Sequence, residues 1–132
     1  MPYWEGKKYK LATSDNFDEY MRELGVGFVL RKLGNTVSAT LDLVKNGDTY
    51  TLTTISTVKN NTINFKLGEE FDEETIDGRK CKSIINMEDE NKFVHQQKSD
   101  KTAVIVLEFT ATDLTTTCSV NNVKCVRVYK AL

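Results

Sequence analysis

Near the C-terminal end, Arg127 and Tyr129 stand two residues apart in a stretch that reads as a β-strand, so both side chains leave one face of it. A guanidinium and a phenol converging from one face can hold a carboxylate through charge-assisted hydrogen bonds, which are stronger than neutral ones. The preceding turn sharpens the geometry. With Asn121-Asn122 as a two-residue hairpin loop, Val120 pairs with Val123 and Cys118 with Cys125. Cys118, Cys125, Arg127 and Tyr129 then share one side, and Val126 and Val128 the other. Two placements stay open. Valines inward is the ordinary one. Arginine inward requires a carboxylate from the protein or from a ligand, because an unpaired guanidinium removed from water costs several kcal/mol. The preference of cysteine for interiors favours the second.

Other chemistry is sparse. The three cysteines, Cys81, Cys118 and Cys125, and the lone His95 show no zinc-ligand spacing, and no metal or other cofactor is expected. Three buried, reduced thiols are the expected state. No G-x-S-x-G, H-E-x-x-H or Gly-rich phosphate loop occurs, and no third group orients His95, so no enzyme is expected. Glu69-Glu70-Phe71-Asp72-Glu73-Glu74 lacks the alternating oxygens and the glycine of a calcium loop; it reads as strand and turn with a solvated face. The 132 residues carry 18 Lys+Arg against 19 Asp+Glu, a net charge of −1, without the basic excess a nucleic-acid binder needs. No apolar run reaches membrane-span length, and Met1–Lys8 lacks the apolar region of a secretory signal, so a cytoplasmic location is expected.

These side chains need elements to hold them. From about residue 36 onward, short runs rich in Thr, Val, Ile and aromatics are cut by turns such as Asn46-Gly47-Asp48, Asp77-Gly78 and Asn121-Asn122. The connections are too short for parallel crossovers, so the pattern is an antiparallel meander. With a first strand near Gly6–Leu11 it amounts to roughly ten strands, and so wide a sheet closes rather than leave long edges bare. Over Asp15–Leu24, Phe17, Tyr20, Met21 and Leu24 make one helical stripe, with Asn16 and Glu19 as a capping box and Gly25 as a stop. A second short helix presents Val26, Val29, Leu30 and Leu33 on one face and stops at Gly34. Neither helix has a core of its own; both must cover the meander. Alternation is muddied in Thr49–Thr57 and Leu114–Val120, which fits either a partly wet interior or threonines facing out.

Taken in order, Asp15–Met21 with Leu24-Gly25-Val26-Gly27-Phe28, Asn46-Gly47-Asp48, Ser56–Asn60, Leu67–Glu73, Asp77-Gly78-Arg79-Lys80 and Val126-Arg127-Val128-Tyr129 resemble the intracellular lipid-binding proteins, and among them the fatty acid-binding proteins. The resemblance runs nearly end to end and implies a single domain over residues 1–132. That domain would be all-β, a ten-stranded antiparallel clam with a helix-turn-helix lid between its first two strands. It implies a monomeric cytoplasmic carrier, possible also in the nucleus, that takes up a long-chain fatty acid. By resemblance, Arg127 and Tyr129 face inward and bind the ligand carboxylate. Phe17, Tyr20, Met21, Thr54, Ile76, Asp77, Arg79, Ile105, Leu107, Phe109 and Cys118 are expected along the cavity, and Val26, Val29 and Val58 at the portal. Asp77 and Arg79 fit an inner ion pair or plain turn charges, with the inner network preferred. Arg22, Arg31 and Lys32 match basic positions that contact anionic membranes in some relatives; an ordinary solvated face is the alternative.

Three departures stand out. Leu107 occupies the place of a second inward arginine, which leaves room for a bulkier or less acidic lipid such as a retinoid. A protein-interaction or import module with a vestigial cavity is the reading from another class. Val58 replaces a portal phenylalanine. Gly6-Lys7-Lys8-Tyr9 carries one extra residue and a Tyr for a Trp, and a bulge is expected there.

Overall fold

The computed structural model describes residues 2–57 and 59–132. Its order is β1 (Lys8–Asp15), α1 (Phe17–Leu24), α2 (Phe28–Thr36), β2 (Ala39–Asn46), β3 (Thr49–Ser56), β4 (Asn61–Phe65), β5 (Phe71–Glu74), β6 (Lys80–Asp89), β7 (Lys92–Lys98), β8 (Thr102–Phe109), β9 (Asp113–Val120) and β10 (Val123–Ala131). The strands form one antiparallel sheet ordered β4-β3-β2-β1-β10-β9-β8-β7-β6-β5. Consecutive strands pair except β4 and β5, and β1 also pairs with β10. The helices separate β1 from β2, yet Tyr9 still pairs with Leu41. β4 and β5 are the two ends of the hydrogen-bonded order, and a stack of Phe65 on Phe71, centroids 6.1 Å apart, bridges them.

The hairpin register is the expected one: Val120 faces Val123 and Cys118 faces Cys125, with Asn121 in the left-handed region at φ 51°. All three cysteines are buried free thiols. On β9, Leu114, Thr116, Cys118 and Val120 are all buried, so Thr116 belongs to the interior. The closed end of the barrel is filled by aromatics. Trp4 packs on Tyr50 and Phe93 at 6.1 Å from each, and its indole N–H donates to the Glu90 carbonyl at 2.8 Å. Tyr50 stacks on Phe65 at 5.3 Å.

Three local expectations are corrected. The irregularity in β1 falls between Leu11 and Thr13 against β10, not at Gly6–Tyr9. There the chain turns before β1 begins, and Gly6 takes φ 73°, which absorbs the extra residue. Asn16 makes no capping box. It sits in the left-handed region at φ 64°, and its amide donates 2.9 Å to the Lys124 carbonyl, tying α1 to β10. Gly34 does not stop α2, which runs to Thr36. A Cβ on Gly34 would lie 3.1 Å from Met21 Sδ, so glycine lets the two helices approach. The acidic run over residues 69–74 has the solvated face expected of it, with Glu69, Glu70, Asp72 and Glu74 exposed, while Glu73 points inward and is buried.

The end of α1 follows the sequence. Gly25 takes φ 92°, its N–H bonds the Arg22 carbonyl, and the Val26 N–H bonds the Met21 carbonyl, a Schellman pair. Tyr20, Phe17 and Leu24 then pack on Ala103, Cys118, Val120 and Cys125. Helix α2 has no buried residue of its own and forms an outer lip.

Candidate functional site

Between the aromatic floor and the helices lies a cavity of about 510 Å³, the size of a small-molecule site. Its wall is mostly apolar, with Met21, Leu30, Leu41, Leu52, Ile63, Ile105 and Leu107 among the contributors.

Arg127 and Tyr129 both reach this cavity. The guanidinium carbon lies 3.8 Å from the centre of the Phe17 ring and 5.9 Å from that of Tyr129. So close a cation over an aromatic face is attractive. Yet Arg127 Nε is buried and has no hydrogen-bond partner among the described residues. No carboxylate neutralises this guanidinium: among the described ion pairs it makes none. Tyr129 is 5% exposed, and burial pushes its phenol above the usual range, so it stays a hydrogen-bond donor at neutral pH. The site can therefore accept an anion with one charged and one neutral donor. Leu107, buried and in register with Thr116 and Phe93, adds no charge.

Tyr20, Met21, Thr54, Ile105 and Cys118 also line the cavity. Burial, followed by the neighbouring Cys118, pushes the Tyr20 phenol well up. Val26 is buried at the mouth, and Ile76 lines the mouth while 42% exposed. Asp77 and Arg79 form an inner ion pair at 2.7 Å, each side chain 19% exposed.

Two positions differ from expectation. Phe109 is not on the cavity wall; it is buried in the floor, 5.4 Å from the Tyr9 ring and 6.1 Å from Phe93, because its place on β8 lies one pleat below Leu107. Val29 is 77% exposed and points away from the cavity, since the inner side of α2 is taken by Leu30, Leu33 and Gly34. Val58 lies outside the described residues.

The residue-by-residue reading missed a buried network. Glu73 Oε1 accepts from the Ser83 hydroxyl at 2.8 Å and lies 2.8 Å from His95 Nε2; its Oε2 accepts from Gln97 at 3.2 Å. Burial alone would raise the Glu73 carboxyl, but His95 by hydrogen bond and charge, with Ser83 and Gln97, outweighs it and lowers it. A signal was present: alternation carries Phe71, Glu73 and Thr75 inward together, and likewise Phe93, His95 and Gln97. No cluster of three or more potential metal ligands occurs among the described residues.

A ten-stranded clam, lidded by two helices over a lipid-sized cavity with one unneutralised guanidinium, defines a carrier of amphipathic small molecules. The pattern of the lipocalin / cytosolic fatty-acid binding protein family matches residues 5–131, and the chain belongs to that family. A fatty acid-binding protein of Tyrophagus putrescentiae is 50% identical over 122 residues, covering 92% of this chain and 93% of that one. The muscle fatty acid-binding protein of Schistocerca gregaria is 45% identical over 96% of this chain and 95% of its own. Among solved structures, a fatty acid-binding protein from brain tissue of Drosophila melanogaster superimposes with a TM-score of 0.91 at 61% identity, covering 96% of this chain and 98% of that one. The Schistosoma mansoni fatty acid binding protein in complex with arachidonic acid gives 0.95 at 43% identity, covering 98% and 96%.

Proposed function

We propose that this protein is a non-enzymatic carrier that binds a long-chain fatty acid non-covalently, shielding the tail in the cavity while Arg127 and Tyr129 hold the carboxylate. The observation that carries the reading is the inward Arg127 guanidinium, buried at Nε and free of any carboxylate partner among the described residues. At ~0.8 kcal/mol per buried CH₂, a sixteen-carbon tail offers on the order of 10 kcal/mol before ordering costs. Sub-micromolar binding needs little more than ~8 kcal/mol net, so the tail supplies affinity and the head group orientation. The relative that holds arachidonic acid supports this ligand class. Family membership supports a cytosolic location.

Delivery by membrane contact is part of the same proposal. Phe28, Val29 and Leu30 on α2 are 68%, 77% and 50% exposed beside the exposed Lys32 and Arg22. Arg31 serves differently: only 18% exposed, it bonds Asp18 at 3.3 Å and the Val26 carbonyl at 2.8 Å, fastening α2 to α1. The test is a displacement panel of fatty acids, fatty alcohols and retinoids, with native mass spectrometry of gently purified protein. A preference for long-chain acids is expected. Equal affinity for acid and alcohol would sink the carboxylate assignment, and a retinoid preference the ligand class.

A further inference from the structure

The cavity has a second polar wall that carboxylate binding leaves unused. Glu73 and Thr75, Asp77 and Arg79, and His95 and Gln97 all line it. Along the hydrogen-bonded order, Gln97 on β7 lies three strands from Arg127 on β10 and Glu73 on β5 lies five, so this polar wall stands across the lumen from Arg127. At about 4.8 Å per strand, a closed ten-strand circumference is on the order of 15 Å across from backbone to backbone.

The two walls differ in charge. Arg127 stands without an anion among the described residues. Across the lumen, Arg79 Nε bonds Asp77 at 2.7 Å and Glu73 brings a second carboxylate, held by His95, Ser83 and Gln97. A ligand carboxylate is repelled there and goes to Arg127. Hydrogen-bonding capacity nevertheless remains on the second wall. Arg79 carries five N–H groups and directs three, to Asp77, to Gln97 Oε1 at 3.3 Å and to Cys81 Sγ at 3.7 Å. Gln97 spends one of its two amide N–H bonds on Glu73. A plain methylene chain pressed against these groups strips their solvation and returns no hydrogen bond; a hydroxyl returns one.

We propose that this wall, centred on Arg79 and Gln97, is a subsite for a hydroxyl group on the middle or distal part of an acyl chain, so that the cavity selects hydroxylated fatty acids over plain ones. The proposal rests on the carboxylate reading, because Arg127 must fix the head for the chain oxygen to arrive opposite it. A hydroxyl next to the carboxylate stays beside Arg127 and does not reach this wall.

The test compares octadecanoic acid with its 2-, 12- and 18-hydroxy derivatives in competition against a fluorescent fatty acid on the full chain. The 12- or 18-hydroxy acid is expected to bind about fivefold to tenfold tighter than the plain acid, and the 2-hydroxy acid no tighter. Arg79→Met, and independently Gln97→Leu, bring that ratio to about one. A flat ranking in the unmodified protein overturns the subsite without recourse to any variant, as does a ratio that survives both substitutions. Arg127→Met separates the two readings: it weakens plain and hydroxylated acids alike and, with the head no longer fixed, brings their ratio toward one, whereas a flat ratio in the unmodified protein beside that loss of affinity sinks the subsite alone. Unchanged acid affinity in that variant would instead sink the head-group assignment.

Discussion

Replacing Arg127 with methionine removes the guanidinium while keeping an unbranched side chain in the same space. In the complex, the lost charge-assisted hydrogen bond to a carboxylate is worth about 1.5–3 kcal/mol, which lowers fatty-acid affinity roughly 10- to 150-fold. Fatty-alcohol affinity should move no more than about threefold, because the tail contribution is untouched. In the free protein, opposing effects meet. The variant loses the contact at 3.8 Å with Phe17, about 0.5–2 kcal/mol. It also relieves a buried Nε without a partner, about 1–3 kcal/mol. These nearly cancel, so Tm should stay within about 4 °C of the unmodified protein. The assay is paired displacement by hexadecanoic acid and hexadecanol, with thermal unfolding of both proteins. Equal losses for acid and alcohol at unchanged Tm would refute the reasoning, since the arginine would then serve shape and not charge.

Glu73 has its carboxyl held below the usual range, so its contribution to stability is present above about pH 4.3 and is lost as pH falls through the lower folded value. Glu73→Gln should therefore be less stable at pH 7 and close the gap in Tm as pH drops below about 4; parallel curves for the two proteins would contradict this. Gly34→Val should drive its side chain into Met21, costing about 1–3 kcal/mol and raising the ligand exchange rate in stopped flow. An unaltered Tm would mean that Met21 yields freely. Phe28→Asp, on an exposed residue, should leave equilibrium affinity within about twofold and slow fatty-acid transfer to anionic vesicles; transfer at the original rate would count against delivery by contact.

Where local rules act alone, the sequence was readable. Phe17, Tyr20 and Met21 at helical spacing with Gly25 behind them specify α1, and Asn121-Asn122 sets a hairpin that puts Cys118 opposite Cys125. Misreadings arise where a partner distant in the chain decides. Asn16 has the right type and place for a cap, but the Lys124 carbonyl, 108 residues away, takes its amide. Gly34 reads as a stop until Met21 is seen against it. Phe109 alternates in phase with Leu107, and only the height of the aromatic floor separates wall from floor. The network around Glu73 is unread for the same reason, because burial of a carboxylate depends on His95, Ser83 and Gln97, none of them near it in sequence.

The break between β4 and β5 gives the barrel an expansion joint. Its girth is set by ladder hydrogen bonds everywhere except at this seam, where two flat rings, Phe65 and Phe71, can slide or part without breaking one. A longer or kinked guest can then be accommodated by widening a single slit, at the loss of some dispersion contact, while the rest of the wall keeps its register. Tolerance of chain length thus becomes a property of the seam, and cross-linking it should narrow the range of guests before it weakens the best one.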